Sequence, residues 1–499
     1  MAQLYTQGKC HGIHPFIVQI RSLEDHKPLP GVTLGDIGPK MALNVIDNGF
    51  LYVDHVRIPH NHLLMKHCQL QKDGTYIANE NNKVFYGSMM YVRAVIILDT
   101  YHKLASAVTI AIRYSAVRRQ TVLYPNKDEE QILNFQTQQY KLFTVLSKAF
   151  AFFFTGSSAI AAYKKVFSDN NEDKEQQFKS LHALLAGLKA ISTWNTAEGI
   201  KICREACGGH GFSMSSGLPQ LESLTCASCT YEGDNTVMLL QTGRYLLKCA
   251  QELSNGTKLQ GTVAYLEEDF SMGHTQVGGN LHLPALLRLY QHSSQVNLMQ
   301  VFQQFSKKLA SGNSFEEVWN MMSVNIMKSA MAHCLIYTVK TFITGVNDIE
   351  QPELKLVLMD LCKLYCVHGI IENLSNFLLP GLLTEIQVSE LNDAMFNLLT
   401  KIRPNAVTLV DAFAITDRKL NSTLGRYDGQ VYSALYDYAM GSPLNKTKVH
   451  VSYHRHLQDF LKERQLKANL VSTCTTYSLL LFIRTLFSPT LSHSPVRIL

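Results

Sequence analysis

The hydrophobic pattern of the chain changes period once, near residue 84, and that change organises the whole sequence. Over residues 1–80, short apolar runs alternate with turn residues. Ile13 to Ile20 and Phe50-Leu51-Tyr52-Val53 read as strands; Pro28, Pro30, Gly31, Gly35, Gly38, Pro39 and the step Asp47-Asn48-Gly49 read as turns. Beyond that point Val92, Val95, Ile96, Leu104, Val108, Ala111 and Ile112 recur at helical spacing and predict a helix running to Arg119, with Pro125 interrupting. Helical patterns resume over 132–167, 177–206 and 235–253. Four long helices with short connections predict a four-helix bundle domain over 84–253. The stretch 254–283 holds Gly256, Gly261, Gly273, Gly278 and Gly279 and reads as a linker. A second helical domain is expected over 284–465, where Leu354, Val357, Leu358 and Leu361 mark one helix face. Residues 466–499 read as a divergent tail. Strands first and helices afterwards predict a mostly α fold with a partial β domain at residues 1–80.

Composition narrows the class. The 499 residues are too many for one compact core, and 46% hydrophobic with 17% charged residues is ordinary for a globular protein. The net charge of +6 is spread among acids without a Lys/Arg run, so no nucleic-acid footprint is expected. No secretory leader and no membrane span are expected either. Eleven cysteines without regular spacing suggest reduced thiols rather than a disulfide scaffold. Cys203, Cys207, His210 and the Cys226-Ala-Ser-Cys229 pair invite a zinc reading, but no second tight pair follows, and they read as core or loop thiols with no metal.

Three clusters carry possible chemistry. Cys207-Gly208-Gly209-His210-Gly211-Phe212 ends a helical run: it is either a glycine C-cap or a loop whose freed N–H groups face an anion. Tyr231-Glu232-Gly233-Asp234-Asn235-Thr236 precedes an apolar helix: it is either an exposed turn or a general base with a glycine leaving room for substrate. Arg113 to Gln120 is either a basic helix terminus matched to the macrodipole or a guanidinium fork for phosphate.

In this order and together, the three clusters resemble the acyl-CoA dehydrogenase superfamily. Arg118 follows Tyr114 by four residues, Arg93 precedes Arg118 by 25, and Phe135-Gln136-Thr137-Gln138 is similar to the family's flavin-contacting helix. Lys27-Pro28-Leu29-Pro30-Gly31, Gly35 to Lys40, Arg57-Ile58-Pro59, Gly425-Arg426-Tyr427-Asp428-Gly429 and Ser442 to Thr447 resemble the peroxisomal acyl-CoA oxidases in particular, over roughly residues 8–460. Thr121, Glu205 and Asp234 depart from the residues that the dehydrogenases carry at those places.

The resemblance implies FAD as cofactor, fatty acyl-CoA as substrate and α,β-dehydrogenation to the trans-2-enoyl-CoA. Glu232 takes the α-proton, the β-hydride passes to the flavin, and O2 is then reduced to H2O2. Arg93 and Gly233 would lie at the substrate. Arg118, Phe135, Gln136, Gly208, Gly209 and Asp234 would bind the cofactor, several of them across a homodimer interface. The resemblance begins within the β domain, at Gly8-Lys9-Cys10-His11-Gly12, so the family's first helical domain and first strands are expected to be absent. That leaves a catalytically impaired isoform, or an interaction protein using the oxidase dimer face, as the alternative. The peroxisome is the compartment that the family implies, although Arg497-Ile498-Leu499 is not a recognisable targeting tripeptide.

Overall fold

The structure is a computed structural model that describes residues 1–66, 68–78, 84–168, 174–270 and 281–472. It divides into two compact units, Met1–Val431 and Tyr432–Leu499. The apolar run Leu479 to Ile483 and the final tripeptide lie outside the described residues, as does the 271–280 part of the expected linker.

Among the described residues, the N-terminal part of the first unit holds three antiparallel two-stranded sheets. They are β1 (Ala2–Thr6) with β2 (Lys9–His14), β3 (Val32–Asp36) with β4 (Gly49–Val53), and β5 (Cys68–Leu70) with β6 (Tyr76–Ala78). Val32 pairs with Val53 and Asp36 with Gly49, so Gly38, Pro39, Asp47 and Asn48 fall in the connection, as the sequence predicts, while Gly35 and Gly49, read there as turn residues, belong to the strands. All of β4 is exposed, Phe50, Leu51, Tyr52 and Val53 included.

Four long helices follow: α1 (Val84–Val117), α2 (Gln136–Ser168), α3 (Lys174–Ala206) and, after two short helices, α6 (Asn235–Ser254). The short ones are α4 (Gly208–Phe212) and α5 (Leu218–Cys226). Ile97, Leu104, Val108 and Ile112 of α1, Leu142, Leu146 and Phe152 of α2, and Leu185, Leu188 and Ile191 of α3 are all buried, so the helical periodicity marks the faces that meet in the bundle. By length and composition α1 and α2 are apolar enough to cross a membrane, which the sequence reading did not anticipate. Within the protein, 61% and 50% of those apolar windows are buried, as expected of core helices.

The second helical region packs on the first. It comprises α7 (Leu283–Ala310), α8 (Phe315–Asn347), α9 (Pro352–Glu372), α10 (Ser375–Leu378), α11 (Glu385–Ile402) and α12 (Ala406–Asp411). Thr155 and Ser158 of α2 hydrogen-bond Thr341 and Tyr337 of α8 at 3.1 and 2.9 Å. Arg403 donates to Asn134 and Gln131 at 2.7 and 2.8 Å. Between the two regions, the stretch expected as a linker contains a 3-10 helix, Gly261–Glu267, with Val263, Tyr265 and Leu266 buried. Part of that stretch is therefore core. The second unit contributes, among the described residues, most of α13 (Val431–Met440) and all of α14 (Gln458–Ser472).

Candidate active site

The carboxylate singled out by sequence sits on a strained turn at the start of α6. Asp234 is the N-cap of this helix: its Oδ1 accepts from the N–H groups of Thr236 and Val237 at 2.9 and 3.3 Å. The preceding residues turn left-handed, with φ +56° at Glu232 and +110° at Gly233. Glu232 is exposed, so its carboxylate is presented outward from a backbone conformation that few non-glycine residues adopt. At Gly233 a Cβ would meet the Met238 side chain at 2.5 Å. Rotation of Met238 relieves that clash, but nothing relieves the φ. Gly233→Ala should therefore cost about 1–3 kcal/mol, read as a lowered midpoint in urea unfolding.

Two cations hold the backbone of this turn. Arg93, buried on α1, donates from Nε to the carbonyl oxygen of Glu232 at 3.2 Å, and its Nη1 lies 3.4 Å from His182 Nε2. Burial, reinforced by the Arg93 charge, pushes the His182 pKa down and so favours the neutral imidazole that can accept this bond. Lys189, fully buried on α3, donates to the carbonyl oxygen of Gly233 at 2.7 Å and to Asn235 Oδ1 at 3.0 Å. Burial lowers its pKa to about 8; Cys229, Asp234 and Glu232 oppose that shift while Arg93 adds to it.

Of these residues the sequence pointed to Glu232, Gly233, Asp234 and Arg93, and it missed His182 and Lys189. The available signal was a lone lysine among apolar and small residues, since Lys189 is the only Lys, Arg, Asp or Glu between Lys179 and Glu198.

The second cluster forms around the C-terminal end of α3. Tyr114, Arg118, Lys141, Gly208, Gly209 and His210 help line a cleft of about 600 Å³. Gly208 has φ +59°, and a Cβ at Gly208 or Gly209 would meet nothing within 4 Å, so both face open space toward the cleft. Gln138 fixes the wall by donating to Ser115 Oγ at 3.1 Å and to the Ala206 carbonyl at 2.8 Å. The wall also carries Glu205. Two cations, a histidine and glycine backbone that a ligand can approach closely suit a phosphate-bearing group, which fits the expected cofactor.

Some expected members lie elsewhere. Gln138 and Lys141, rather than Phe135 and Gln136, are the α2-side residues that line the cleft; Phe135 is half-buried just before α2, and Gln136, its first residue, is exposed. Of the basic run, Arg118 faces the cleft. Arg113 turns away, donating to Asp411 Oδ1 at 2.7 and 2.9 Å and to the Gly425 carbonyl at 2.8 Å. Neither the macrodipole nor phosphate explains Arg113; it ties α1 to the end of α12. Cys207, buried behind the glycines, has its thiol pushed up to about 12 by burial, and it is inert packing.

The two clusters are far apart. Lys189, at the turn, and Ala206, at the cleft, both belong to α3, and seventeen residues of helix span about 26 Å.

Helices α1–α6, extended by a second helical region, form the architecture of a flavin-dependent acyl-CoA-oxidising enzyme, and the comparisons with known proteins agree. The sequence matches the family model "Acyl-CoA oxidase, C-alpha1 domain" over residues 86–247 and "Acyl-CoA oxidase" over 282–462. It is 43% identical over 468 residues to peroxisomal acyl-coenzyme A oxidase 1 of Homo sapiens, covering 92% of this chain and 70% of that protein. With the Rattus norvegicus protein of the same name it is 43% identical over 467 residues, with the same coverages. Among solved structures, Arabidopsis thaliana acyl-CoA oxidase 1 superposes with a TM-score of 0.87 at 38% identity, covering 93% of this chain and 71% of that one. Acyl-CoA oxidase-1 of Caenorhabditis elegans, solved with FAD and ATP, gives 0.86 at 37% identity, covering 93% and 69%. The chain belongs to the acyl-CoA oxidase family, whose general activity is the FAD-dependent oxidation of acyl-CoA. It spans about 70% of the length of these relatives.

Proposed function

We propose that this chain catalyses α,β-dehydrogenation of fatty acyl-CoA to the trans-2-enoyl-CoA, with O2 as final acceptor and H2O2 as product, in peroxisomal fatty acid β-oxidation. The observation that carries this reading is Glu232, held on a left-handed turn whose carbonyl is gripped by the buried Arg93. A thioester α-carbon is a weak acid, so its proton leaves only to a base fixed in place. Glu232 is that base. Gly233 carries no side chain of its own, and the flexible end of Met238, which packs against it, would swing aside for the thioester to lie beside the base. FAD, when bound, supplies the acceptor for the β-hydride. Arg118, Gly208 and Gly209 would hold its phosphates, with Lys141 and His210 adding donors. The peroxisomal assignment rests on the names of the relatives.

The separation of about 26 Å along α3 supports a homodimer in which the base turn of one copy and the phosphate cleft of another serve the same flavin.

The test is direct. The full chain, purified with FAD, should be yellow, elute as a dimer and bleach on anaerobic addition of a fatty acyl-CoA. A colourless dimer would instead favour the non-catalytic interaction protein. Gly209→Ala sharpens the test: with open space at Cβ its melting should be unchanged, while FAD affinity falls about tenfold or more as the methyl enters the cleft. Unchanged affinity would remove the glycines from the cofactor site.

A further inference from the structure

Lys189 has no role in the chemistry described so far, yet it is placed as though it had one. It is fully buried in the middle of α3. Its hydrogen-bond partners are a backbone carbonyl and an amide oxygen, while Asp234 and Glu232 act on it only at longer range. An ammonium buried on such terms is costly to the fold, and apolar packing of the same volume would serve a core as well.

Both acceptors lie on the segment that carries the base. Gly233 follows Glu232, and Asn235 opens α6. Asn235 is itself buried and pinned to α3, donating from Nδ2 to Thr193 Oγ1 at 2.9 Å and to the Ala190 carbonyl at 3.3 Å. Arg93 grips the Glu232 carbonyl from α1, on the other side. Consecutive carbonyls of one turn, 232 and 233, therefore accept from buried cations on two different helices, and both residues have positive φ.

We propose that Lys189 is a positioning residue for acyl-CoA dehydrogenation, clamping the Gly233 carbonyl and so holding the left-handed turn that aims the Glu232 carboxylate. The inference rests on the proposed function for its consequence in turnover; the clamp itself is testable without cofactor. The charged and titratable groups around Lys189 are Arg93 from α1, Cys229 from the segment before the turn, and Glu232 and Asp234 on the turn. With burial they place its titration near pH 8, where an ordinary lysine stays charged. The clamp should therefore loosen just above neutral pH.

Amide hydrogen exchange on the flavin-free full chain reads the clamp. Lys189→Met should raise exchange across Tyr231–Asn235 about tenfold, with α5 within about twofold of wild type as the control. In the wild-type chain, exchange of the turn relative to α5 should climb between about pH 7 and pH 9. In the FAD-loaded chain, Lys189→Met should slow flavin reduction at saturating acyl-CoA by about 100-fold, with little change in the concentration needed for half-saturation. Lys189→Gln, which keeps a neutral donor in the same space, should fall between the two and lack the alkaline rise in exchange. Wild-type exchange and wild-type reduction in either variant would overturn the proposal, and Lys189→Gln decides it where Lys189→Met does not fold. A Glu232→Gln chain that still bleaches would sink the assignment of the base instead, leaving the exchange result standing.

Discussion

Glu232→Gln should leave the protein yellow and dimeric while lowering flavin bleaching by acyl-CoA by about 10²–10⁴-fold, the range that a positioned general base contributes. The substitution suits the question because the carboxylate is exposed and, among the described residues, the side-chain hydrogen bond to residue 232 comes from Arg93 to its backbone carbonyl. An amide of the same shape keeps the turn, the Arg93 contact and the N-cap at Asp234, and removes the ability to take a proton together with a charge that acts on Arg93 and Lys189 only at longer range. Stopped-flow reduction under nitrogen measures the effect, with the melting curve as control. Bleaching at the wild-type rate would move the base elsewhere and leave Glu232 as a surface turn.

The largest effect on stability is expected at Arg113. Its guanidinium is buried with the Asp411 carboxylate and the Gly425 carbonyl as main acceptors; Asp417 lies 3.5 Å from Nη1, and the Tyr427 ring lies 5.2 Å away. Arg113→Ala takes the donor from the Gly425 carbonyl and the half-buried Asp411 carboxylate and leaves a cavity, so the loss should reach about 2–4 kcal/mol, which is a large share of the stability of a typical domain. Urea unfolding should show a sharply lower midpoint, or no soluble protein at all. Arg113→Lys keeps the charge and loses the fork, so it should fall between. A midpoint for Arg113→Ala within about 0.5 kcal/mol of wild type would mean that the second helical region does not depend on this tie.

These two positions mark what sequence reasoning can and cannot reach. The turn that presents Glu232 was legible because its parts are local: a carboxylate, a glycine and a helix cap lie within three residues, and their order along the chain matches a known family. Arg113 was misleading because its meaning is not local. It stands in a basic run near a helix end, where the macrodipole or a phosphate is the natural reading, while its main partner is 298 residues away. Lys189 was visible as an isolated charge, but its acceptors lie 44 and 46 residues further on. The short helix α5 was missed because the three serines and Gly217 within residues 213–217 mask its start, where Gly217 caps it at φ +75°.

Although the run Ile13 to Ile20 is strand only as far as His14, the sequence by itself determined the long helices, the strand at residues 50–53, the glycine pair and the turn that carries the candidate base. Each of these is set by the 3.6-residue period or by side chains within one turn of backbone. The tertiary structure decided that the Glu232 turn and the glycine cleft lie at separate places along α3. It also decided that part of the stretch after α6 is core, that the compact division falls at residue 431, and which carbonyls the buried cations hold. Those outcomes depend on which distant segments share a desolvated space. A buried cation must take whatever acceptors the fold brings to it, and no local period encodes that pairing.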